Sequence, residues 1–327
     1  MVDLSTRYLG LSLNNPIIAG SCGLTGKLGD IRKLVAAGAG AVVLKSLFEE
    51  QILNELANSL DTYETDYPDA YDYVNQYTRD NIVGDYLMMI SEAKKVFDIP
   101  VIASINCVTS SEWVSFATSV EKSGADAIEI NVSLLPADQR KTSKQYEDIY
   151  FEVINKVASL ISIPISLKMS TYSPALANLI ARLSHTGKVG GFVLFNRYAS
   201  PDIKIEAEKV TPAKVYSSPE ESILPLRWIA MLSGDIKADF AASTGVHDGE
   251  AVIKQLLAGA TAVQCVSTLY MNGPETITAM LDTLRAWMEK KGYASLEDFR
   301  GKLRYGKSDN PAMYERIQFM RQFSGVH

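Results

Sequence analysis

Short apolar runs alternate with helix-forming segments along the whole chain. Four of these runs follow a Gly-Ala or Gly-Gly pair and end on polar residues, within 36–46, 123–133, 189–197 and 258–268. A glycine directly after a helix is the usual left-handed cap, and a β-branched run after it is typical of a strand buried on both faces. The recurring unit therefore predicts parallel strands, each preceded by a helix.

Four further runs, at 16–21, 100–106, 164–170 and 239–245, bring the predicted strands to eight. Eight such units without a linker indicate an α/β protein with a closed (β/α)8 TIM barrel, which forms a single domain over 1–327. A doubly wound sheet split into two domains is the alternative. Helices are predicted at 28–37, 82–97, 111–123, 145–160, 175–186, 226–233, 248–258 and 274–290.

Three segments do not belong to these units. Residues 1–15 predict a hairpin with Gly10 at its turn, which would cover the barrel floor. Residues 47–80, after the second strand, contain nine acidic residues and one arginine, and residues 198–224 follow the sixth strand. Long loops on the catalytic face are often lids or substrate walls. A solvated acidic surface or an oligomer contact is the alternative for the acidic loop.

Composition and charge narrow the class of protein. With 327 residues, 47% hydrophobic, and a net charge of −6, the chain is a globular protein without a basic surface for nucleic acid or anionic membranes. It contains neither 18 consecutive apolar residues nor a signal-peptide pattern. Its three cysteines and three histidines are scattered, so we expect no metal site and a reducing, cytoplasmic location.

Polar side chains follow every predicted strand, where barrel enzymes place their active sites. Lys45 and Lys168 each end an apolar run, and an unpaired charge at a buried rim is costly, so an anionic ligand is expected there. A lone Asn or Lys at such a place is more often a turn or surface residue. The strand-end residues are Ser21, Lys45, Ser46, Asn106, Asn131, Ser133, Lys168, Asn196, Arg197, Ser243, Thr244, Ser267 and Thr268.

The loops after the seventh and eighth strands suit a phosphate group. Gly245 leaves room for backbone N–H groups to approach a phosphate, and the hydroxyls of Ser267 and Thr268 are further donors.

Six segments, at 15–21, 40–46, 129–133, 167–168, 195–196 and 244–246, together carry a family resemblance. The chain resembles the dihydroorotate dehydrogenases, which are FMN-dependent (β/α)8 barrels, over nearly its whole length. Segments 48–51 and 226–229 are similar to the dihydroorotate dehydrogenase-like branch of that family.

The resemblance implies FMN as the cofactor and a role for each matching residue. Residues implied at the flavin are Ala19, Gly20, Ser21, Lys45, Ser46, Asn106, Asn131, Lys168, Thr244, Gly245, Ser267 and Thr268. Residues implied at the substrate are Lys45, Asn131, Asn196 and Arg197. Lys168 would lie beside the pyrimidine end of the flavin, where a cation stabilises the reduced form.

Several positions depart from the family pattern. Leu134 stands where the family has the residue that acts as the base, and a leucine accepts no proton. Pro136 stands where the family has a substrate-binding asparagine. Ser133, Cys107 and Cys22 are candidate replacement bases. Thr244 and Ser267 each stand where the family has a glycine, Arg197 replaces a small residue, and the Asn-rich substrate loop is not visible in 47–80.

These features favour an FMN-dependent oxidoreductase acting on CH–CH groups, with weak dihydroorotate oxidation and a small anionic or amide substrate. The alternatives are a non-catalytic flavin-binding or regulatory paralogue and a Schiff-base aldolase that uses Lys168 or Lys45. In the family, the quinone-linked class has an N-terminal extension, and the NAD-linked class depends on a separate iron–sulfur partner. We expect this chain to have no such extension and, with three scattered cysteines, no iron–sulfur cluster of its own. A homodimer similar to the first class is therefore expected, with the electron acceptor left open.

Overall fold

The computed structural model describes residues 2–48, 68–106, 110–132, 134–173, 175–198 and 200–315. Within these ranges, eight parallel strands form a closed ring, because each pairs with the next along the chain and the eighth pairs with the first. This confirms the predicted barrel. Its strands are β3 (Ile17–Ala19), β4 (Ala41–Val43), β6 (Val101–Asn106), β7 (Ala127–Asn131), β8 (Ile165–Lys168), β9 (Gly191–Leu194), β12 (Asp239–Ser243) and β13 (Ala262–Cys265).

The remaining strands lie outside the ring. A hairpin of β1 (Thr6–Tyr8) and β2 (Leu11–Leu13) precedes it. The short β5 (Leu47–Phe48) continues alongside β6, and β10 (Pro201–Lys204) pairs with β11 (Lys209–Pro212) in the loop after β9.

Helices cover the outside of the barrel where the periodicity predicts them, with one large difference. The helix predicted over 82–97 begins at Pro68, so the second half of the predicted acidic loop is helical. Proline is favoured in the first turn of a helix, and residues 49–67 lie outside the described part. The helices are α1 (Leu28–Ala36), α2 (Pro68–Val96), α3 (Ser110–Lys122), α4 (Ser143–Ala158), α5 (Leu176–His185), α6 (Ile223–Leu232), α7 (Gly249–Ala258), α8 (Ser267–Asn272), α9 (Thr276–Lys291) and α10 (Ala312–Glu315).

The N-terminal hairpin closes the floor of the barrel, as predicted. Leu9 and Gly10 form its turn with φ values of 54° and 77°. Tyr8, Leu9 and Leu13 are buried and pack with the inward-facing side chains of the strands. Burial of these large apolar side chains stabilises the barrel at the end opposite the site.

Asp239, at the start of β12, ties this hairpin to the barrel. Its carboxylate accepts the Leu9 N–H at 2.7 Å and the Thr261 hydroxyl at 3.3 Å, and burial raises its pKa. We expect Asp239→Ala to lower the unfolding free energy by about 1–3 kcal/mol, because it leaves a buried N–H without an acceptor. Urea unfolding measures this. The exposed Asp235→Ala is the control, and equal losses in both variants would contradict the assignment.

No helix in the described ranges has the length and apolar character needed to cross a membrane.

Candidate functional site

A buried ionic cluster lies inside the barrel, just below its C-terminal mouth. Lys168 Nζ lies 3.2 Å from Glu129 Oε1 and 3.2 Å from Gln264 Oε1. The Gln264 amide donates to the second Glu129 oxygen at 2.6 Å. Only 1% of Glu129 is exposed, so its charge depends on Lys168 for compensation.

This cluster corrects the expectation that both strand-end lysines need an anionic ligand. Lys168 is neutralised by Glu129, and Lys45 is exposed, with its side chain beside Gly26. The sequence contains one signal for the pair of Glu129 with Lys168, which is a glutamate inside the apolar segment 127–132. Side chains two residues apart in a strand share a face, so Glu129 points to the same side of the sheet as Asn131.

Three serines form a hydrogen-bonded row from the end of β3 to β6, where Ser104 is paired in register with Glu129 of β7. Ser46 Oγ lies 3.0 Å from Ser21 Oγ and 2.6 Å from Ser104 Oγ. Tyr86 of α2 reaches in behind them, where it donates to the Ser104 carbonyl at 3.0 Å and accepts its N–H at 2.8 Å. The Tyr86 hydroxyl thus satisfies the backbone hydrogen bonds of Ser104 in β6, next to the gap between the end of β4 and the start of β5. Ser104 and Tyr86 were not predicted, since neither is at a strand end.

Two asparagine side chains meet between β7 and β9. The Asn196 amide donates to Asn131 Oδ1 at 3.1 Å, and Asn131 is buried. Asn106 ends β6 on the same rim. Paired amides of this kind present both donors and acceptors to a ligand, which is the chemistry that recognises an amide or imide group.

The loops after β12 and β13 form a third group with the segment 214–217, which we call the strap. The hydroxyl of Ser217 accepts the Gly245 N–H at 3.3 Å and lies 3.2 Å from His247 Nε2. The N–H and hydroxyl of Ser217 both donate to Ser267 Oγ, at 2.9 and 3.0 Å. Thr268 donates to the His247 carbonyl. We call this group the hydroxyl cradle.

Backbone conformation keeps the cradle narrow. Thr244 and Gly245 have φ values of 82° and 75°, and a Cβ on Gly245 would meet the backbone of Glu221 and Ser222. Gly20, at the end of β3, leaves similarly little room, since a Cβ there would lie 2.8 Å from Val266 Cγ2.

Residues from the ionic cluster and the cradle, together with Asn196, line one cavity of about 210 Å³; they are Lys168, Gln264, Ser217, Gly245 and Ser267. A second cavity of about 520 Å³ adjoins it and shares four residues with it. Those four residues are Phe195, Asn196, Arg197 and Thr244. The mouth therefore offers a polar, cradle-lined end and a larger compartment beside it.

The remaining predicted residues are placed as follows. Leu134 is half-buried, and its carbonyl lies 3.4 Å from the Tyr198 hydroxyl, which donates to it. Arg197 is bonded to Glu221 and to the strap. Ser133 and Cys107, the candidate bases, lie outside the described residues.

Known proteins identify the family. The dihydroorotate dehydrogenase family model matches residues 3–288. The chain belongs to the dihydroorotate dehydrogenase family. This confirms the resemblance read from the strand-end segments and makes the protein a dihydroorotate dehydrogenase-like oxidoreductase.

Individual relatives of this family member are distant but match it over about nine-tenths of the chain. The NAD-linked dihydroorotate dehydrogenase B catalytic subunit of Thermoplasma volcanium is 24% identical over 92% of this chain and 98% of its own. An Aeropyrum pernix protein assigned to dihydroorotate dehydrogenase A (fumarate) is 28% identical over 91% of this chain and 97% of its own. The relatives thus include both NAD-linked and fumarate-linked enzymes, and they leave the oxidant open.

Proposed function

We propose that this protein is an FMN-dependent oxidoreductase that transfers a hydride between flavin and a small amide or anionic substrate. The observation that carries the proposal is one mouth that combines a compensated buried cation, an amide pair and a hydroxyl cradle. Oxidation of dihydroorotate to orotate, the pyrimidine-biosynthetic reaction of the family, is expected to be weak, because Leu134 occupies the base position.

The residues of the mouth fit FMN. Ser267 would hold the phosphate, because its hydroxyl accepts both Ser217 donors and can donate its own hydrogen to an anion. The positive-φ turn at Thr244 and Gly245 is typical of an anion site. The Gly245 N–H already donates to Ser217 and the Thr268 hydroxyl to the His247 carbonyl, so these two residues would shape the phosphate site rather than donate to it. Ala19, Gly20, Ser21 and Ser46 would line the flavin from the first two strands, with Lys45, Asn106 and Asn131 on the rim. When bound, FMN supplies the hydride acceptor.

Lys168 would serve as a fixed positive charge rather than as a proton donor. Glu129 and Gln264 hold its ammonium in one position, so no reorganisation is needed when negative charge develops beside it. Asn131 and Asn196 would orient the substrate through its amide.

The proton step lacks its usual acceptor. A positioned general base contributes about 10²–10⁴-fold, and a leucine contributes none of this. Cys265 is no substitute, because burial raises the pKa of its thiol to about 12. Ser133, Cys107 and Cys22 remain candidates.

The alternatives differ in what they require of the same residues. A Schiff-base aldolase needs a free amine, and the ion pair of Lys168 with Glu129 weighs against that residue. A non-catalytic flavin-binding paralogue would keep the cradle and the cation but show no substrate-driven reduction.

Titration of the apoprotein with FMN tests the proposal. We expect quenching of flavin fluorescence at a one-to-one stoichiometry and no borohydride-trapped adduct with carbonyl compounds. Absence of quenching would overturn the proposed cofactor.

We also propose that the protein is a homodimer, supported by the exposed hairpin of β10 and β11. Ile203 and Val210 face each other across it and are 66% and 76% exposed. An isolated two-stranded hairpin is marginally stable in water, and apolar clusters of this kind mark contact surfaces.

We expect the double variant Ile203→Asp, Val210→Asp to halve the mass measured by light scattering, because charged residues at an apolar contact oppose association. Leu160→Asp, at the exposed turn after α4, is the control and should stay dimeric. A wild-type monomer would contradict the proposal.

A further inference from the structure

Arg197 lies on the wall shared by the two cavities, and its guanidinium is hydrogen-bonded to the protein. Its Nε pairs with Glu221 Oε2 at 2.8 Å. Its two terminal nitrogens donate to consecutive strap carbonyls, those of Val215 at 2.9 Å and Lys214 at 3.0 Å. Because Arg197 lies three residues after the end of β9, these bonds fasten the strap close to the end of a barrel strand.

The other end of the strap enters the hydroxyl cradle. Residues 214–216 are exposed, whereas Ser217 is 7% exposed and reaches Gly245, His247 and Ser267. The two groups of bonds are separated by a single residue, Tyr216. The position of the Ser217 hydroxyl is therefore set by the carbonyls that Arg197 holds.

Glu221 joins both groups. One of its oxygens pairs with Arg197, and the other accepts the Ser218 N–H at 2.8 Å. The backbone of Glu221 also packs against Gly245. Arg197, Glu221 and the strap thus form one connected frame around the cradle.

We propose that Arg197 is a positioning residue that fixes the strap against the phosphate end of the flavin site, and that it determines affinity for the phosphate group of FMN. This inference rests on the proposed function. It differs from the expectation that Arg197 contacts the substrate, because each of its three guanidinium nitrogens already donates to Glu221 or to the strap.

The effect is one of preorganisation. With Arg197 in place, Ser217 is held at the cradle before any ligand arrives. Without it, the strap must be ordered during binding, and ordering a loop of several residues lowers affinity by about ten- to a hundredfold. We expect this loss of affinity for ligands that carry a phosphate, because the strap borders the cradle and the cradle is where the phosphate would bind.

The test compares FMN with riboflavin, which is FMN without its phosphate. Dissociation constants and FMN release rates are measured by fluorescence on wild type, Arg197→Ala and Arg197→Lys. Arg285→Ala is the matched control, because it removes an arginine of α9 that pairs with Asp282 at 2.9 Å and is not among the residues that line either cavity. Thermal midpoints of the apoproteins identify any variant that fails to fold, in which case Glu221→Gln replaces it.

We expect wild type and Arg285→Ala to bind FMN more tightly than riboflavin. Arg197→Ala should lose about ten- to a hundredfold in FMN affinity with faster release, and keep its riboflavin affinity. Arg197→Lys should lose an intermediate amount, since one ammonium does not span three acceptors.

Two results overturn the inference. If Arg197→Ala retains the wild-type preference for FMN over riboflavin, the proposed role of Arg197 is wrong while the flavin site stands. If wild type binds neither flavin, the proposed function fails and the inference fails with it.

Discussion

Replacing Lys168 with methionine is expected to lower the unfolding free energy by about 3–5 kcal/mol, because it leaves a buried carboxylate without compensation. Glu129 is 1% exposed, and Lys168 is its cationic partner in the described structure. Gln264 donates one hydrogen bond to Glu129, which does not replace a full positive charge. Urea unfolding of the apoprotein at neutral pH measures the loss.

The double variant Lys168→Met, Glu129→Gln separates stability from function. Neutral residues in place of a buried ion pair often restore stability, so the double variant should recover most of the loss. It should still bind FMN more weakly than wild type, because the buried cation proposed to lie beside the flavin is gone. Equal stability of the single and double variants would contradict the buried-pair account.

Gly245→Ala is expected to abolish measurable FMN binding. The new Cβ would enter the backbone of Glu221 and Ser222, and its φ of 75° is unfavourable for alanine. The two segments that form the cradle would be forced apart, which removes the preorganised donors. Fluorescence titration with FMN measures the loss.

Gly10→Ala is the matched control for this substitution. Gly10 has nearly the same φ, 77°, but a Cβ there meets nothing within 4 Å. Its cost is therefore the conformational one alone, about 1–2 kcal/mol, and FMN binding should be unchanged. If Gly245→Ala binds FMN as Gly10→Ala does, the close approach at the cradle is not required for cofactor binding.

The sequence predicted the barrel because its signals are local. A capping glycine and the β-branched run after it lie within about ten residues, as in 36–46. The C-terminal strand ends then follow from the parallel topology, and this places Lys168, Asn131 and Asn196 at one mouth.

The parts that were missed depend on contacts between distant segments. Glu129 is hydrogen-bonded to Gln264, which is 135 residues away in the sequence. The Tyr86 hydroxyl is hydrogen-bonded to the backbone carbonyl and N–H of Ser104. The early start of α2 at Pro68 was hidden by an acidic, tyrosine-rich composition without an apolar stripe. The strap gave no periodic signal, so its bonds to Arg197 were not predictable from the sequence.

The most direct test of the account is the visible spectrum of anaerobically purified protein mixed first with dihydroorotate and then with dithionite. The central claim is that this family member keeps FMN and has lost the base. We predict a flavin spectrum that dithionite bleaches at once and that saturating dihydroorotate bleaches very slowly or not at all. Rapid bleaching by dihydroorotate would contradict the claim, and it would show that another residue does the work Leu134 cannot.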